Sequence, residues 1–318
     1  MRTRPRLPQP TERENSMVRP LFALPLFAGM LLAASTPAHA DRLDDDLATV
    51  WEVLWDQRGA LPSVVRWNRP VRYRIEGINV GMHRAQIANA LQAASAATGV
   101  SISEAAEGEE APNLSFEIVA DNQLLDNEPC VTRLRRWRNW GLEEVSVKMR
   151  SQAAWRCTFH ETMHVMGLRG HPSGKTVLSY FPWRRDVFMD LDLLMLRTWY
   201  APGIDPGATP LQLYAALSRA VAEQPDLGIP LEQARRRASE TAARQVKLLE
   251  NFAKGEGEVP TIVLRSGKAS TPFMVRARRD AASYLAKAYR DGTLVEPDLA
   301  QAESWSARFK ALDAEGTP

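Results

Sequence analysis

His160-Glu161-Thr162-Met163-His164-Val165-Met166-Gly167-Leu168-Arg169-Gly170-His171 holds three of the five histidines of the chain. Residues four apart on a helix share one face, with Cβ atoms about 5–6 Å apart. The spacing therefore predicts a helix over 153–166 that turns His160 and His164 the same way. Imidazole nitrogens so placed reach one Zn2+ at about 2.0–2.1 Å. Gly167 predicts the helix end, because glycine enters the left-handed region at little steric cost, and the chain can then return His171 as a third ligand. Glu161 falls beside the histidines, where a carboxylate serves as a proton acceptor. The bland alternative is a helix with two histidines on a solvated face, since His-Glu-x-x-His is a short pattern.

Upstream, apolar residues recur at helical spacing from Asp44 to Trp55, and Val64–Trp67 and Val71–Ile75 read as extended. A helix over His83–Ala97 should stop at Gly99, followed by strands at Val100–Ile102, Leu114–Val119 and Val145–Met149. The fold class expected is α+β. His83, alone near a helix start, reads as a cap or surface residue. Arg133, Arg135, Arg136 and Arg138 alternate with Leu134, Trp137 and Trp140. Such a strip is expected as a solvated hairpin or strand edge more than as a nucleic-acid groove.

Arg2, Arg4, Arg6 and Arg19 precede the apolar run from Leu21 to Ala34, and Ala38-His39-Ala40 follows it. This is the pattern of a secretory signal peptide over 1–40. The run is shorter than the roughly 20 residues of a spanning helix, and Pro25 interrupts it. The expectation is a periplasmic or secreted chain starting at Asp41 with no membrane span, an uncleaved anchor being the alternative. Five of the 40 Lys+Arg and two of the 38 Asp+Glu lie in that leader, which leaves 35 and 36. Near-balance argues against a nucleic-acid partner. Both cysteines, Cys130 and Cys157, lie after the leader. In an oxidising compartment they are expected to form a disulfide, which in the chain-entropy picture contributes roughly 3–4 kcal/mol. Cysteine ligation of zinc is the competing reading, although three histidines already fill a catalytic ligand set.

The histidine stretch resembles the extended zinc motif of the metzincin metallopeptidases, H-E-x-x-H-x-x-G-x-x-H, with one additional residue before the third ligand. Thr176-Val177-Leu178-Ser179-Tyr180 resembles the Met-turn of that family, with Leu178 in place of the methionine. Asp190-Leu191-Asp192-Leu193-Leu194 through Trp199-Tyr200 is similar to the helix that follows the turn. The resemblance implies a metzincin-like catalytic domain over 41–205, a twisted mixed sheet plus a zinc-binding helix. It implies one catalytic Zn2+ on His160, His164 and His171, Glu161 as general base, and Tyr180 as oxyanion donor or fifth ligand. The activity implied is that of a zinc metalloendopeptidase acting on a peptide or protein substrate. The same arrangement resembles uncharacterised bacterial secreted proteins that keep the motif in altered form. The alternative is therefore a zinc-binding but catalytically inactive envelope adaptor or scaffold.

Gly203-Ile204-Asp205-Pro206-Gly207 reads as a linker into a helical region over 206–318. Leu211–Ala222 and Leu231–Lys254 have the spacing of amphipathic helices. Residues 281–310 resemble one Sel-type tetratricopeptide-like repeat. Stacked arrays need about three repeats, so a helical hairpin packed on its own neighbours is expected, with a docked protein partner as the other use.

Overall fold

The computed structural model describes residues 37–106, 108, 112–125, 128–179, 186–267 and 271–315. The expected leader falls largely outside them; residues 37–40 open the first helix. Among the described residues no helix is long and apolar enough to cross a membrane.

Helix α1 (Pro37–Glu52) leads into β1 (Arg66–Trp67) and β2 (Val71–Gly77), then α2 (Val80–Thr98), β3 (Ile102–Glu104), β4 (Leu114–Val119), β5 (Cys130–Arg138) and β6 (Gly141–Arg150). Gly99 ends α2 at φ 73, the stop that glycine favours. β2 pairs in parallel with β3 and β4, and β6 pairs in parallel with β4 and β1. Among the described residues β5 alone is antiparallel, against β6. It follows β6 along nearly its whole length, so β1 and β4 share the opposite edge of β6. The fold is thus mixed α/β, a largely parallel sheet followed by helices.

Register decides what each face of the sheet carries, because side chains alternate with period two. One set of rungs runs Ile75, Phe116, Val147, Thr132 and Tyr73, Leu114, Val145, Leu134. The apolar members other than Leu134 are buried, and α2 and α3 (Ala154–Val165) pack on this side. The other set runs Arg74, Ser115, Ser146, Arg133, with Lys148 paired to Glu117 at 3.1 Å beside it. That face is polar. Parallel sheets are usually covered on both faces and read as continuous apolar runs; here the strands alternate because one face meets water. The Arg133–Arg138 strip is accordingly an edge strand and hairpin. Its two-residue turn has Asn139 at φ 49 and Trp140 at φ 64, the primed turn that suits strand twist.

Beyond α4 (Asp190–Trp199) come α5 (Pro210–Ala222), α6 (Leu231–Lys254), α7 (Thr261–Arg265), α8 (Thr271–Asp291) and α9 (Leu299–Glu315). α5 opens with Thr209 and Gln212 capping each other reciprocally. α8 and α9 form a helical hairpin that buries Ala281, Leu285, Ala302 and Trp305. Among the described residues one hydrophobic core runs from Leu43 to Leu312. Trp51 meets Tyr214 edge-on at 5.0 Å and Trp55 meets Phe252 at 6.0 Å, so α1 is buried against α5 and α6.

Candidate metal centre

The end of α3 is fixed by glycine geometry and by borrowed donors. Gly167 N–H donates to His164 O at 2.9 Å and Leu168 N–H to Met163 O at 3.1 Å, the paired bonds of a Schellman end. Gly167 sits at φ 101, and any Cβ there would overlap Val65 O. Trp67 Nε1 donates to Val165 O at 2.8 Å and Tyr200 Oη to Met166 O at 2.9 Å. These close the carbonyls that a helix end leaves open. The chain then turns back, and the extra residue before His171 is accommodated in the bend.

His160, His164 and His171 converge as predicted. Their Nε2 atoms lie 3.1 Å (His160 to His164), 3.1 Å (His160 to His171) and 3.2 Å (His164 to His171) apart. His160 Nδ1 lies 2.7 Å from Val177 O, and His164 Nδ1 lies 2.6 Å from Leu168 O. A carbonyl only accepts, so both Nδ1 atoms carry the proton and both Nε2 atoms present lone pairs. Burial first, then the neighbouring His160 and His171, holds His164 well below the usual imidazole range. Burial, with His160 beside it, takes His171 down to about 3. Neutral rings whose lone pairs face each other at 3.1 Å repel unless a cation lies between them. A tetrahedral set at about 2.0–2.1 Å has nitrogens about 3.3–3.4 Å apart, close to the spacing here. The donor set fits a metal ion.

Glu161 is turned toward the sheet. It lies four residues after Cys157, a helical rise of about 6 Å, while Thr132 lies two residues after Cys130, a strand rise of about 6.8 Å. The two pairs therefore match: Cys130 and Cys157 form a disulfide with Cα atoms 6.3 Å apart, and Thr132 Oγ1 donates to Glu161 Oε2 at 2.6 Å. The cysteines are thus not ligands. Glu161 is buried, and that burial raises its carboxyl to about 7, with the Thr132 hydroxyl pulling the other way and Glu128 adding to the rise.

Beneath the histidines, Thr176–Ser179 forms a turn with Leu178 fully buried. Asp192, also fully buried, holds it. Its carboxylate accepts from the Thr176 hydroxyl, from Val177 N–H at 3.1 Å and from Met189 N–H at 2.8 Å. Burial raises Asp192 to about 6 against the pull of those donors. Val177 thus gives its N–H to Asp192 and its carbonyl to His160. Tyr180 lies outside the described residues. His83 is a correction: it is neither cap nor surface residue but 5% exposed within α2, its Nε2 3.3 Å from Ser151 Oγ. Burial lowers its pKa.

Three residues of the site escaped the sequence: Thr132, Asp192 and Gln57, whose carboxamide lies 3.3 Å from both ring nitrogens of His171. Thr132 had a signal in its two-residue offset from Cys130, readable only once the disulfide is assumed. Compared with known protein families and with curated proteins, the chain matches neither.

Proposed function

We propose that this chain is an exported zinc-dependent peptidase of metzincin kind, with His160, His164 and His171 as ligands and Glu161 as general base. The observation that carries the reading is the convergence of three Nε2 atoms at 3.1–3.2 Å, two of them with Nδ1 tied to main-chain carbonyls. Zinc bound there would supply an acidified water and polarise a scissile carbonyl. Glu161, adjacent to His160, takes up the proton and returns it to the leaving amine. A carboxyl near pH 7 suits both transfers. The Thr132 hydroxyl orients that carboxylate by occupying one oxygen. Tyr180 is assigned the oxyanion on resemblance.

Support for a peptide substrate comes from β5. Thr132 brings this strand against Glu161, and among the described residues its outer edge pairs with no other strand. An extended peptide can add there by main-chain hydrogen bonds. The Cys130–Cys157 disulfide supports an oxidising compartment, periplasmic or secreted.

Purified protein loaded with one equivalent of zinc, offered an unstructured protein and a mixed peptide library, tests the reading. Hydrolysis by the wild type, lost by about a thousandfold or more in Glu161→Gln at unchanged zinc content, is the expected result. Zinc binding without turnover on either substrate overturns it and leaves the scaffold alternative.

A further inference from the structure

The turn beneath the histidines carries a run of hydrogen bonds in which every proton has one possible place. His160 Nδ1 lies 2.7 Å from Val177 O, and a carbonyl only accepts, so the ring donates. The same peptide unit ends in Leu178 N–H, which lies 3.2 Å from Thr176 Oγ1. An amide N–H only donates, so the hydroxyl oxygen accepts. Thr176 then gives its own proton to Asp192 Oδ1, because a carboxylate only accepts. The run is continuous and has one direction: imidazole, peptide, hydroxyl, carboxylate. Thr176, Val177, Leu178 and Asp192 are all buried.

Hydrogen bonds aligned head to tail polarise one another, and more strongly away from water. The Asp192 charge draws the Thr176 proton, which makes Oγ1 a better acceptor for Leu178 N–H. An amide so polarised carries more negative charge on its own oxygen, since nitrogen and carbonyl share one delocalised system. Val177 O thereby holds the His160 proton more firmly and leaves more electron density at Nε2, the atom that faces the other two histidines. Metal-bound imidazoles ordinarily meet a carboxylate or a carbonyl directly; here the carboxylate acts through a peptide and a hydroxyl. Asp192 is itself anchored. It stands in the first turn of α4, where a helix favours negative charge, and accepts from Met189 N–H at 2.8 Å and Val177 N–H at 3.1 Å. His164 differs, because its Nδ1 is received by Leu168 O, outside this turn.

We propose that Thr176 and Asp192 are positioning residues of the metal centre, acting on His160 through the peptide between Val177 and Leu178. They aim its ring and strengthen its Nε2 as a ligand. The proposal rests on the metal-binding reading of the three histidines, not on peptidase activity.

The test titrates metal-free wild type, Thr176→Val, Thr176→Ser, Asp192→Asn and His160→Ala with zinc, and records the imidazole N–H proton resonances of each zinc form. Thr176→Val removes the hydroxyl and keeps the shape. It should raise the zinc Kd about tenfold and move the His160 Nδ1–H resonance upfield, while that of His164 stays in place. Asp192→Asn removes the charge and should act in the same direction. Thr176→Ser keeps the hydroxyl and should stay within a few-fold of the wild-type Kd. An unchanged Kd and His160 resonance in Thr176→Val and Asp192→Asn, with affinity lost in His160→Ala, overturns the proposal and leaves the metal centre standing. Equal movement of the His160 and His164 resonances also overturns it, since that reports a general loosening of the site. Unchanged affinity in His160→Ala overturns the metal reading itself.

Discussion

The bend from Gly167 to Ser179 and the hairpin of α8 and α9 both join helices to their surroundings, but different forces hold them. In the bend, backbone lies against backbone: Gly167 on Val65, Gly170 on Val53 and Trp55. Its polar groups are assigned one by one, Thr176 and Val177 to Asp192 and Ser173 to Glu52. The hairpin is held by burial of Ala281, Leu285, Ala302 and Trp305, an attraction without direction. A directional network fixes side-chain positions to within tenths of an ångström, which a ligand set needs, and tolerates little change. An apolar contact gives stability without that precision.

Substitutions separate the two. Gly167→Ala meets both a positive φ and the Val65 carbonyl, and should cost on the order of 4 kcal/mol by denaturant unfolding. Gly203→Ala is the control: at φ 90 with no atom within 4 Å of its Cβ, it should cost only about 1 kcal/mol. Equal losses at the two positions would mean that close approach does not shape the bend. Leu285→Ala, at a fully buried position in the hairpin, should cost about 3 kcal/mol and leave zinc affinity at the wild-type value. An altered affinity would show that the hairpin also sets the ligand geometry.

A pH-dependent effect tests Glu161 in metal-free protein. Burial raises its carboxyl from 4.5 to about 7, so its contribution to stability is complete below pH 4.5 and is lost as pH rises through 7. Glutamine has no such dependence. Glu161→Gln should match the wild type near pH 4.5 and be more stable than it at pH 8, by about 3 kcal/mol in denaturant unfolding. A constant difference across that range contradicts the assigned burial.

Much of the site was legible because it is local. His160 and His164 announce their shared face through a spacing of four, Gly167 announces the stop, and the Leu231–Lys254 helix has the bounds read from its pattern. Gln57 was not legible, because 114 residues separate it from His171 and nothing in a glutamine after Trp55-Asp56 signals a metal. Asp192 was visible only as part of an acidic helix start, and its grip on Val177 is tertiary. The parallel pairing of β2, β4 and β6 was hidden too, since strands open to water on one face alternate as antiparallel strands do. The Gly203–Gly207 stretch reads as a linker, yet Gly207 N–H donates to Val64 O at 2.8 Å, and the core continues past it.

The most direct test is anomalous diffraction at the zinc edge from crystals of the protein grown with zinc. One peak about 2.0–2.1 Å from the Nε2 atoms of His160, His164 and His171 is the predicted result. A map without a peak there, or with zinc only at surface carboxylates, would contradict the account.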